Sequence, residues 1–387
     1  MIYLDNAATS FPKAPGVAEA VAACIRDLPG SPGRASHAYA VAASELMYSV
    51  RERLASFFGV ARPERLAFTK NATEALNLAI TGYLGPRLRA CDQLRTRVIA
   101  SPFEHNSVMR PLRHLEAAKG LRIELFPCSA GGSPDLSVLA RMLSQGADLL
   151  VVTAASNVTG AVLPLPAIIG LAREARVPVL VDASQLVGHR RFDIGASGAS
   201  LVAFSGHKGL LGPAGTGALY IASDLELEPL IYGGTGSASD SENQPGFLPD
   251  RFEAGTQNVA AIAGLGAALE WLEGRGFTAI ESRERDLRAR LAEGLHAIQG
   301  LAVLPCDDKE NALPVVSATS GRVSESDVAF ELDRRGIAMR MGLHCAPSAH
   351  RTAGSFARGG SLRFSPGIFT TDGEIDGTIA AMKEIMR

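Results

Sequence analysis

A lysine follows a short apolar run and opens a glycine-rich turn near the middle of the chain. Residues 201–204 are apolar, Ser205-Gly206-His207-Lys208 come next, and residues 218–221 form a second apolar run. This pattern predicts strand, polar turn and strand, with Lys208 where two buried elements meet. Burial disfavours the ammonium form, and the neutral amine is the form that attacks an aldehyde. Lys208 is therefore a candidate Schiff-base lysine carrying pyridoxal phosphate, with Ser205 and His207 as phosphate donors.

The stretch 179–185 contains a carboxylate that such a lysine would need. Taken alone, a lysine in a glycine-rich loop is most often a solvated surface residue. Residues 179–181 have the character of a buried strand, which ends in Asp182 and is followed by Gln185. Pyridoxal phosphate needs a carboxylate against its pyridinium nitrogen to remain an electron sink. The strand-end position of Asp182, upstream of Lys208, fits that role.

A third stretch, 65–77, offers a site for a phosphate group. A short strand leads into a polar turn, and Thr73-Glu74 opens a helix. Backbone N–H groups at the start of a helix are unpaired, which makes them an anion site. We interpret Asn71, Ala72 and Thr73 as a phosphate cradle; the alternative is an ordinary helix-capping threonine.

Composition limits the architecture and the partners. The 387 residues are 47% hydrophobic and 20% charged, with a net charge of −2 from 38 basic and 40 acidic residues. A chain of this size predicts two domains, or one large domain with a smaller appendage. Because no run of one charge sign stands out, we expect no nucleic acid as the main partner.

The chain shows no sign of a membrane or secretory segment. No stretch of about 18 uninterrupted apolar residues is present, so no membrane span is expected. Residues 1–6 do not have a basic region before an apolar core, so a cytoplasmic protein is expected. The odd number of cysteines, without a C-x-x-C pair, fits neither a disulfide framework nor a zinc site. They are Cys24, Cys91, Cys128, Cys306 and Cys345.

From residue 98 onward, strand and helix patterns alternate. Alternation of this kind predicts an α/β fold with a mostly parallel sheet and helices on both faces, and ligands at the carboxyl edge of the strands. Polar clusters fall at strand ends: Glu104-His105, Ser156-Asn157 and Asp182 with Gln185. Residues 231–255 predict a long exposed loop. The remainder, from about residue 300, predicts a smaller α+β unit with strands near 314–317 and 361–365.

Several of these motifs occur in the order found in one known family. They are Tyr3-Leu-Asp-Asn-Ala-Ala-Thr-Ser10, Thr69-Lys-Asn-Ala-Thr-Glu-Ala75, Glu104-His105, Ser156-Asn-Val-Thr-Gly160, Asp182-Ala-Ser-Gln185, Ser205-Gly-His-Lys208, Arg251-Phe-Glu-Ala-Gly-Thr256 and His344-Cys345. The chain resembles the class V aminotransferase family of fold-type I pyridoxal phosphate enzymes, and within it cysteine desulfurases. The resemblance implies a large cofactor-binding domain over residues 15–260. A smaller α+β domain would comprise residues 1–14 and 261–387.

The resemblance also implies roles around the cofactor. Lys208 would be its covalent anchor, and Asp182 would pair with the pyridinium nitrogen. His105 would stack on the ring and move protons, while Gln185 would bond the phenolate oxygen. The phosphate would be held by Ala72, Thr73, Ser205 and His207.

Three further residues take implied roles in substrate binding and assembly. Thr256 would reach the phosphate of a partner subunit, which implies a homodimer. Asn157 would lie near the ring and the substrate carboxylate. Arg363 matches the family's carboxylate clamp, a role that suits arginine because its two parallel N–H groups fix orientation as well as charge.

Cys345 differs from the other four cysteines, which we interpret as inert buried thiols. It lies in a polar loop, residues 340–350, next to His344 and near His350. Neighbouring positive charge increases the thiolate fraction of a cysteine. A desulfurase needs that thiolate to take the substrate's sulfur as a persulfide, whereas a transaminase does not. The short loop resembles the desulfurase subgroup that uses an accessory sulfur acceptor.

These observations favour a cysteine desulfurase that converts L-cysteine to L-alanine and supplies sulfur for iron–sulfur clusters or thio-cofactors. Alternatives within the same fold are a selenocysteine lyase, another carbon–sulfur lyase, or a class V transaminase or epimerase. A catalytically idle scaffold or sulfur-carrier partner is a further alternative. Segments 236–250 and 350–360 match no motif, and we expect both to border the site.

Overall fold

The computed structural model describes residues 1–33, 37–90 and 96–387. Cys91, one of the thiols interpreted as inert, lies outside the described residues. The strands are β1 (Ile2–Tyr3), β2 (Leu66–Thr69), β3 (Arg97–Ala100), β4 (Arg122–Leu125), β5 (Leu149–Thr153), β6 (Val179–Asp182), β7 (Leu201–Ser205), β8 (Gly217–Ile221), β9 (Leu301–Val303), β10 (Val316–Ser320), β11 (Ile337–Ala338), β12 (Arg340–Gly342) and β13 (Ser361–Phe364). The helices are α1 (Val17–Asp27), α2 (Ala38–Phe57), α3 (Ala72–Ala90), α4 (Asn106–Lys119), α5 (Leu136–Ser144), α6 (Leu165–Glu174), α7 (Ile194–Ser197), α8 (Val259–Arg275), α9 (Phe277–His296), α10 (Glu325–Arg334), α11 (Pro347–Ala353) and α12 (Asp372–Ile385).

The largest sheet positions most of the polar strand ends. Within the described residues its seven strands run in the order β2-β8-β7-β6-β5-β3-β4. The strands from β7 to β4 are parallel to one another, and β8 is antiparallel to both of its neighbours. Thr153 of β5 pairs with Asp182 of β6, so the carboxyl ends of these strands meet at one edge. The predicted mostly parallel α/β sheet is confirmed.

Both faces of this sheet are buried because successive side chains of a strand point to opposite faces. In β5, Leu150 and Val152 pack into one core with residues of α6 and α8. Leu149 and Val151 pack into a second core with residues of α3 and α4. The continuous apolar strands that the sequence shows follow from this double burial.

The C-terminal part of the chain forms a separate apolar core. An antiparallel sheet in the order β12-β13-β10-β9 packs on α9, α10 and α12, and β1 pairs in parallel with β11. Leu4, just after β1, lies fully buried in this core with Leu287 and Met382. This core thus contains residues from both segments of the predicted small domain, 1–14 and 261–387. The domain boundary at residue 260 stays a prediction.

Two peripheral features differ little from expectation. Residues 231–255 form a mostly exposed loop with one short turn of 3-10 helix at Asp250–Phe252. The strand expected near 314–317 begins only at Val316, since Pro314 has no N–H for a sheet. Among the helices that the structure describes, none combines the length and the apolarity needed to cross a membrane.

Candidate active site

A cavity of about 260 Å³ opens at the edge of the large sheet where β5, β6 and β7 end. Residues of β12, β13 and the loop after β12 close its other side. The cavity brings together eleven of the twelve predicted site residues. These are Ala72, Thr73, His105, Asn157, Asp182, Gln185, Ser205, His207, Lys208, Cys345 and Arg363.

Lys208 lies in the turn after β7, partly buried on the cavity wall. Loss of hydration lowers its pKa, an effect that Asp182 opposes and Arg363 increases. The lowered pKa increases the share of neutral amine, the nucleophilic form. Gly209 lets this turn approach the sheet closely, because a Cβ there would lie 2.4 Å from the Val187 carbonyl oxygen.

Asp182 and Gln185 lie at the end of β6, and both are buried. The Asp182 Oδ1 accepts hydrogen bonds from the Ser184 backbone N–H at 3.0 Å and from the Ser184 hydroxyl. Gln185 Nε2 donates to the Ala7 carbonyl oxygen at 2.9 Å, which ties this side chain to the N-terminal segment. The sequence did not single out Ser184 as the residue that orients the carboxylate.

His105 caps the N-terminus of α4. Its Nδ1 accepts a hydrogen bond from the Ser107 N–H at 3.1 Å, which leaves the ring proton on Nε2. Burial first, and then the nearby Lys208, lower the pKa of His105 to about 4. At neutral pH the imidazole is therefore uncharged.

Glu104 is a buried acid that the sequence marked only as part of a polar strand end. Its Oε1 accepts hydrogen bonds from Ser101 Oγ and the Thr153 N–H, both at 2.6 Å. Its Oε2 is buried and has no partner in the described part of the chain. Burial, with a smaller contribution from Asp182, raises the pKa of Glu104 to about 8. The side chain is a neutral carboxylic acid behind the site.

The start of α3 forms an anion cradle with the turn after β7. The Ala72 N–H donates to Ser205 Oγ at 2.9 Å, and the Thr73 N–H has no acceptor among the described residues. Gly217 allows this close approach, since a Cβ there would lie 2.9 Å from Asn71 Cα. Burial lowers the pKa of His207 to about 4, with contributions from Lys208. The free donor that this cradle offers to an anion is thus the Thr73 N–H at the start of a long helix, and not a charged histidine.

Arg363, in β13, is almost fully buried and contributes a guanidinium group to the cavity wall. Its Nη2 donates to Asp5 Oδ1 at 2.7 Å and its Nη1 to the Asn157 carbonyl oxygen at 3.2 Å. Its Nε is buried without a partner within the described residues. A buried, unpaired donor on a guanidinium is costly, so it marks a place for an acceptor such as a carboxylate.

Cys345 lies exposed in a strained turn between β12 and α11. His344 and Cys345 both have a left-handed backbone, with φ of 47° and 55°. Two hydrogen bonds hold the turn: the Asn106 N–H donates to the Cys345 carbonyl oxygen at 2.7 Å, and Asn157 Nδ2 donates to that of His344 at 2.8 Å. Strain of this kind persists only where surrounding contacts fix the backbone.

The expectation that His344 and His350 supply positive charge to Cys345 is wrong. Burial, with Arg363 nearby, lowers the pKa of His344 to about 2 and that of His350 to about 4, so both rings are neutral. The positive groups on the cavity wall are instead Arg363 and Arg340. Arg340 was missed, although its place in the same loop as Cys345 was a usable signal.

Thr256 does not line this cavity. It lies beside a separate surface cavity of about 450 Å³ that also contacts Asn71, at the start of the phosphate cradle. The segment carrying it is fixed by Glu253, which forms a buried ion pair with Arg51 at 2.6 Å.

The residues of the site fit pyridoxal phosphate. A lysine with a lowered pKa, a buried carboxylate at a strand end and an N–H cradle with an unpaired donor face one cavity. These groups match an aldehyde, a pyridinium nitrogen and a phosphate respectively.

Comparison with known proteins agrees with this geometry. The family described as aminotransferase class-V matches residues 2–377. The chain belongs to the class V aminotransferase family. The predicted family and its fold-type I architecture are thereby confirmed, and the family's enzymes use pyridoxal phosphate.

The similar proteins within this family are described as cysteine desulfurases. The chain is 33% identical to a cysteine desulfurase of Cronobacter sakazakii, covering 100% of this chain and 94% of that protein. It is 32% identical to a probable cysteine desulfurase of Methanothermobacter thermautotrophicus, covering 99% of this chain and 94% of that protein. The apo structure of a cysteine desulfurase from Thermococcus onnurineus NA1 is similar with a TM-score of 0.92 at 30% identity, covering 100% of this chain and 94% of that chain.

Glu104→Gln is expected to flatten the pH dependence of stability. Because folding raises the pKa of Glu104 to about 8, the folded state keeps a proton that the unfolded state releases at lower pH. Stability is therefore lost as pH rises from the ordinary carboxyl pKa towards 8, by up to about 1.4 kcal/mol per pH unit. Urea unfolding should show the variant gaining about 2 kcal/mol on the parent between pH 5.5 and 7.5.

Glu310→Gln is the matched control, since Glu310 is exposed. It should leave the pH dependence of the unfolding free energy unchanged. Equal slopes for the parent and Glu104→Gln would show that Glu104 is ionised in the folded protein.

Proposed function

We propose that this chain is a pyridoxal-phosphate-dependent cysteine desulfurase that converts L-cysteine to L-alanine. The observation that carries the proposal is the thiol of Cys345, the one exposed cysteine of those described, on the wall of the cavity that holds Lys208 and Arg363. Sulfur abstraction needs such a nucleophile and transamination does not. The desulfurase relatives support the same activity.

Within this proposal three groups of the cavity hold the cofactor. Lys208 would bond covalently to its aldehyde, Asp182 would pair with its ring nitrogen, and the start of α3 would bind its phosphate. Neutral His105, with its proton on Nε2, would stack on the ring, and Gln185 would meet its phenolate oxygen. When bound, pyridoxal phosphate acidifies the α-proton of the substrate and accepts electrons from it.

The protein orients the substrate through its carboxylate. The Nε of Arg363 has no partner among the described residues, and each Nη group, although bonded to Asp5 or Asn157, has a second N–H; donors of this kind suit a carboxylate. Asn157, already bonded to the Cys345 turn through the His344 carbonyl oxygen, lies next to that carboxylate site. One residue thus couples substrate position to the position of the thiol.

Proton and sulfur transfer then use two side chains. The neutral Nζ of Lys208 takes the α-proton of the substrate. The Cys345 sulfur, as thiolate, attacks the substrate's sulfur: an S–S bond forms and the Cβ–S bond breaks, with its electron pair left on the three-carbon fragment. That fragment gains a proton at Cβ, takes back at Cα the proton held by Lys208, and leaves as alanine, while the persulfide remains on Cys345. The balance needs no oxidant.

The fixed turn that carries Cys345 bears on what happens to the sulfur. Its two carbonyl oxygens are hydrogen-bonded to Asn106 and Asn157, so the thiol does not travel with a long loop. An accessory sulfur-acceptor protein would therefore approach the exposed cysteine and pass sulfur to iron–sulfur cluster or thio-cofactor assembly. We place this chemistry in the cytoplasm, where reducing conditions keep thiols free.

We infer that the enzyme is a homodimer. Thr256 lies outside the cavity of its own chain, beside the exposed apolar side chains of Leu230 and Ile231. Tyr232 and Phe247, from the same loop, are also exposed. A second copy covering this surface would explain the apolar exposure and bring Thr256 to the partner's phosphate.

Thr256→Ala is expected to raise the dissociation constant for pyridoxal phosphate about tenfold, because one hydrogen bond to a charged phosphate is lost. Sedimentation velocity should show a dimer for both the parent and the variant. Ser241→Ala, in the same exposed loop, should change neither quantity. A monomeric holoenzyme, or unaltered cofactor affinity, would contradict the inferred dimer contact.

Cys345→Ala is expected to abolish production of both alanine and sulfide from L-cysteine while the visible absorbance of the bound cofactor remains. Without reductant, mass spectrometry of the parent should find one added sulfur atom on the peptide containing Cys345. Cys24→Ala is the control, because Cys24 is a thiol in α1 that does not line the cavity.

The same assay separates the alternatives. Alanine formed in stoichiometric amount by Cys345→Ala would exclude the persulfide mechanism. Release of alanine from selenocysteine but not from cysteine would indicate a selenocysteine lyase. Conversion of a keto acid to an amino acid without sulfide would indicate a transaminase.

A further inference from the structure

A second lysine, Lys13, lies close to the backbone of the cofactor lysine. Its Nζ donates three hydrogen bonds, to Thr9 Oγ1 at 3.2 Å, Ser10 Oγ at 3.1 Å and the His207 carbonyl oxygen at 3.0 Å. An ammonium group has three N–H donors, so all of them are used. The side chain is partly buried, whereas surface lysines ordinarily keep the ammonium group in water.

The His207 carbonyl oxygen is the point on which these contacts converge. Besides Lys13 Nζ, it accepts from the Ser10 N–H at 3.0 Å, Ser10 Oγ at 3.1 Å and Thr9 Oγ1 at 3.1 Å. Four donors around one oxygen exceed its two lone pairs, and a cation among them strengthens the attraction. This oxygen belongs to the peptide bond between His207 and Lys208. Fixing it fixes the backbone from which the Lys208 side chain begins.

The N-terminal segment that contains Lys13 also contacts the turn after Lys208, at Leu211. The Ala14 N–H donates to the Leu211 carbonyl oxygen at 3.3 Å, and the Leu211 N–H donates to the Lys208 carbonyl oxygen at 2.8 Å. Leu211 has a left-handed backbone with φ of 59°, which other contacts must maintain. Residues 9–14 therefore clamp both ends of the turn that carries Lys208.

Residues 5–7 of the same N-terminal segment contact two further residues of the cavity, Arg363 and Gln185. Asp5 pairs with Arg363 at 2.7 Å, and the Ala7 carbonyl oxygen accepts from Gln185 Nε2 at 2.9 Å. Residues 5–13 thus contact Arg363 at one end and the backbone next to Lys208 at the other. Lys13 provides the positively charged contact at the second end.

We propose that Lys13 is a positioning residue: its ammonium group binds the His207 carbonyl oxygen and thereby sets the direction in which Lys208 meets the cofactor. Loss of hydration lowers the pKa of Lys13 to about 8, so a cation is retained at neutral pH despite the cost of burial. The inference rests on the proposed role of Lys208 as the cofactor anchor.

The test compares three holoenzyme variants. Lys13→Met removes the ammonium group with little change in shape, Lys13→Arg keeps a cation, and Ser10→Ala removes one hydroxyl contact. Lys119→Met, at the exposed end of α4, is the matched control. Lys13→Met should raise the dissociation constant for pyridoxal phosphate about tenfold, since the peptide group before Lys208 loses the charged hydrogen bond that fixes it. Ser10→Ala should produce a smaller change in the same direction.

Two further readouts separate positioning from general stability. Visible circular dichroism of the bound cofactor reports its orientation, and its amplitude should fall in Lys13→Met, recover partly in Lys13→Arg and stay unchanged in Lys119→Met. Hydrogen exchange should become faster in peptides covering 5–13 and 205–211 but not in peptides from α9. Turnover should fall while KM for cysteine changes little.

The outcomes distinguish this inference from the proposed function. If the parent binds no pyridoxal phosphate, the proposed function is wrong. If the parent binds it but Lys13→Met retains the parent's affinity, visible dichroism and exchange, the positioning role of Lys13 is wrong. A loss of stability in Lys13→Met with unchanged visible dichroism would also overturn it.

Discussion

Two hydrogen bonds join the turn that carries Cys345 to the edge of the large sheet. Asn106, at the start of α4, and Asn157, after β5, bind the carbonyl oxygens of Cys345 and His344. Two consecutive non-glycine residues with left-handed backbone cost free energy, on the order of 1 to 3 kcal/mol each. The turn keeps this conformation because both parts of the chain hold it. The position of Cys345 on the wall of the cavity that contains Lys208 depends on these two hydrogen bonds.

The electrostatics of the cavity follow from burial more than from residue type. The three histidines His105, His207 and His344 are neutral because they have lost hydration, and Glu104 is protonated for the same reason. The remaining cations on the wall are Arg340 and Arg363, so the cavity favours anionic ligands such as a phosphate and a carboxylate. The Nε of Arg363, a residue of the cavity wall, is buried without a partner among the described residues, and a ligand with an acceptor atom would complete its hydrogen bonding.

Much of this arrangement could be predicted because strand ends are local features of a sequence. The apolar runs before Asp182 and Lys208 predict buried strands, and parallel strands bring their carboxyl ends to one edge. The placement of His105 and Asn157 follows from the same rule. Nine of the eleven predicted residues in the cavity lie at or after the ends of strands of the large sheet, whereas Cys345 and Arg363 come from the C-terminal part of the chain.

The remainder depends on contacts between distant parts of the chain. No local pattern pairs Asp5 with Arg363 or brings Lys13 to the His207 carbonyl oxygen. The charge state of His344 depends on how deeply it is buried, so its sequence position next to Cys345 suggested a positive charge that the folded protein does not have. The role proposed for Thr256 likewise depends on a contact with a second copy of the chain, which no pattern within one sequence specifies.

The central claim is that the side chain of Lys208 bonds covalently to the aldehyde of pyridoxal phosphate in this cavity. Borohydride reduction of the holoenzyme, followed by digestion and mass spectrometry, locates that bond. If Lys208 is the anchor, the reduced pyridoxyl label will be found on the peptide containing Lys208 alone. A label on Lys13 or any other lysine, or no label at all, would contradict it.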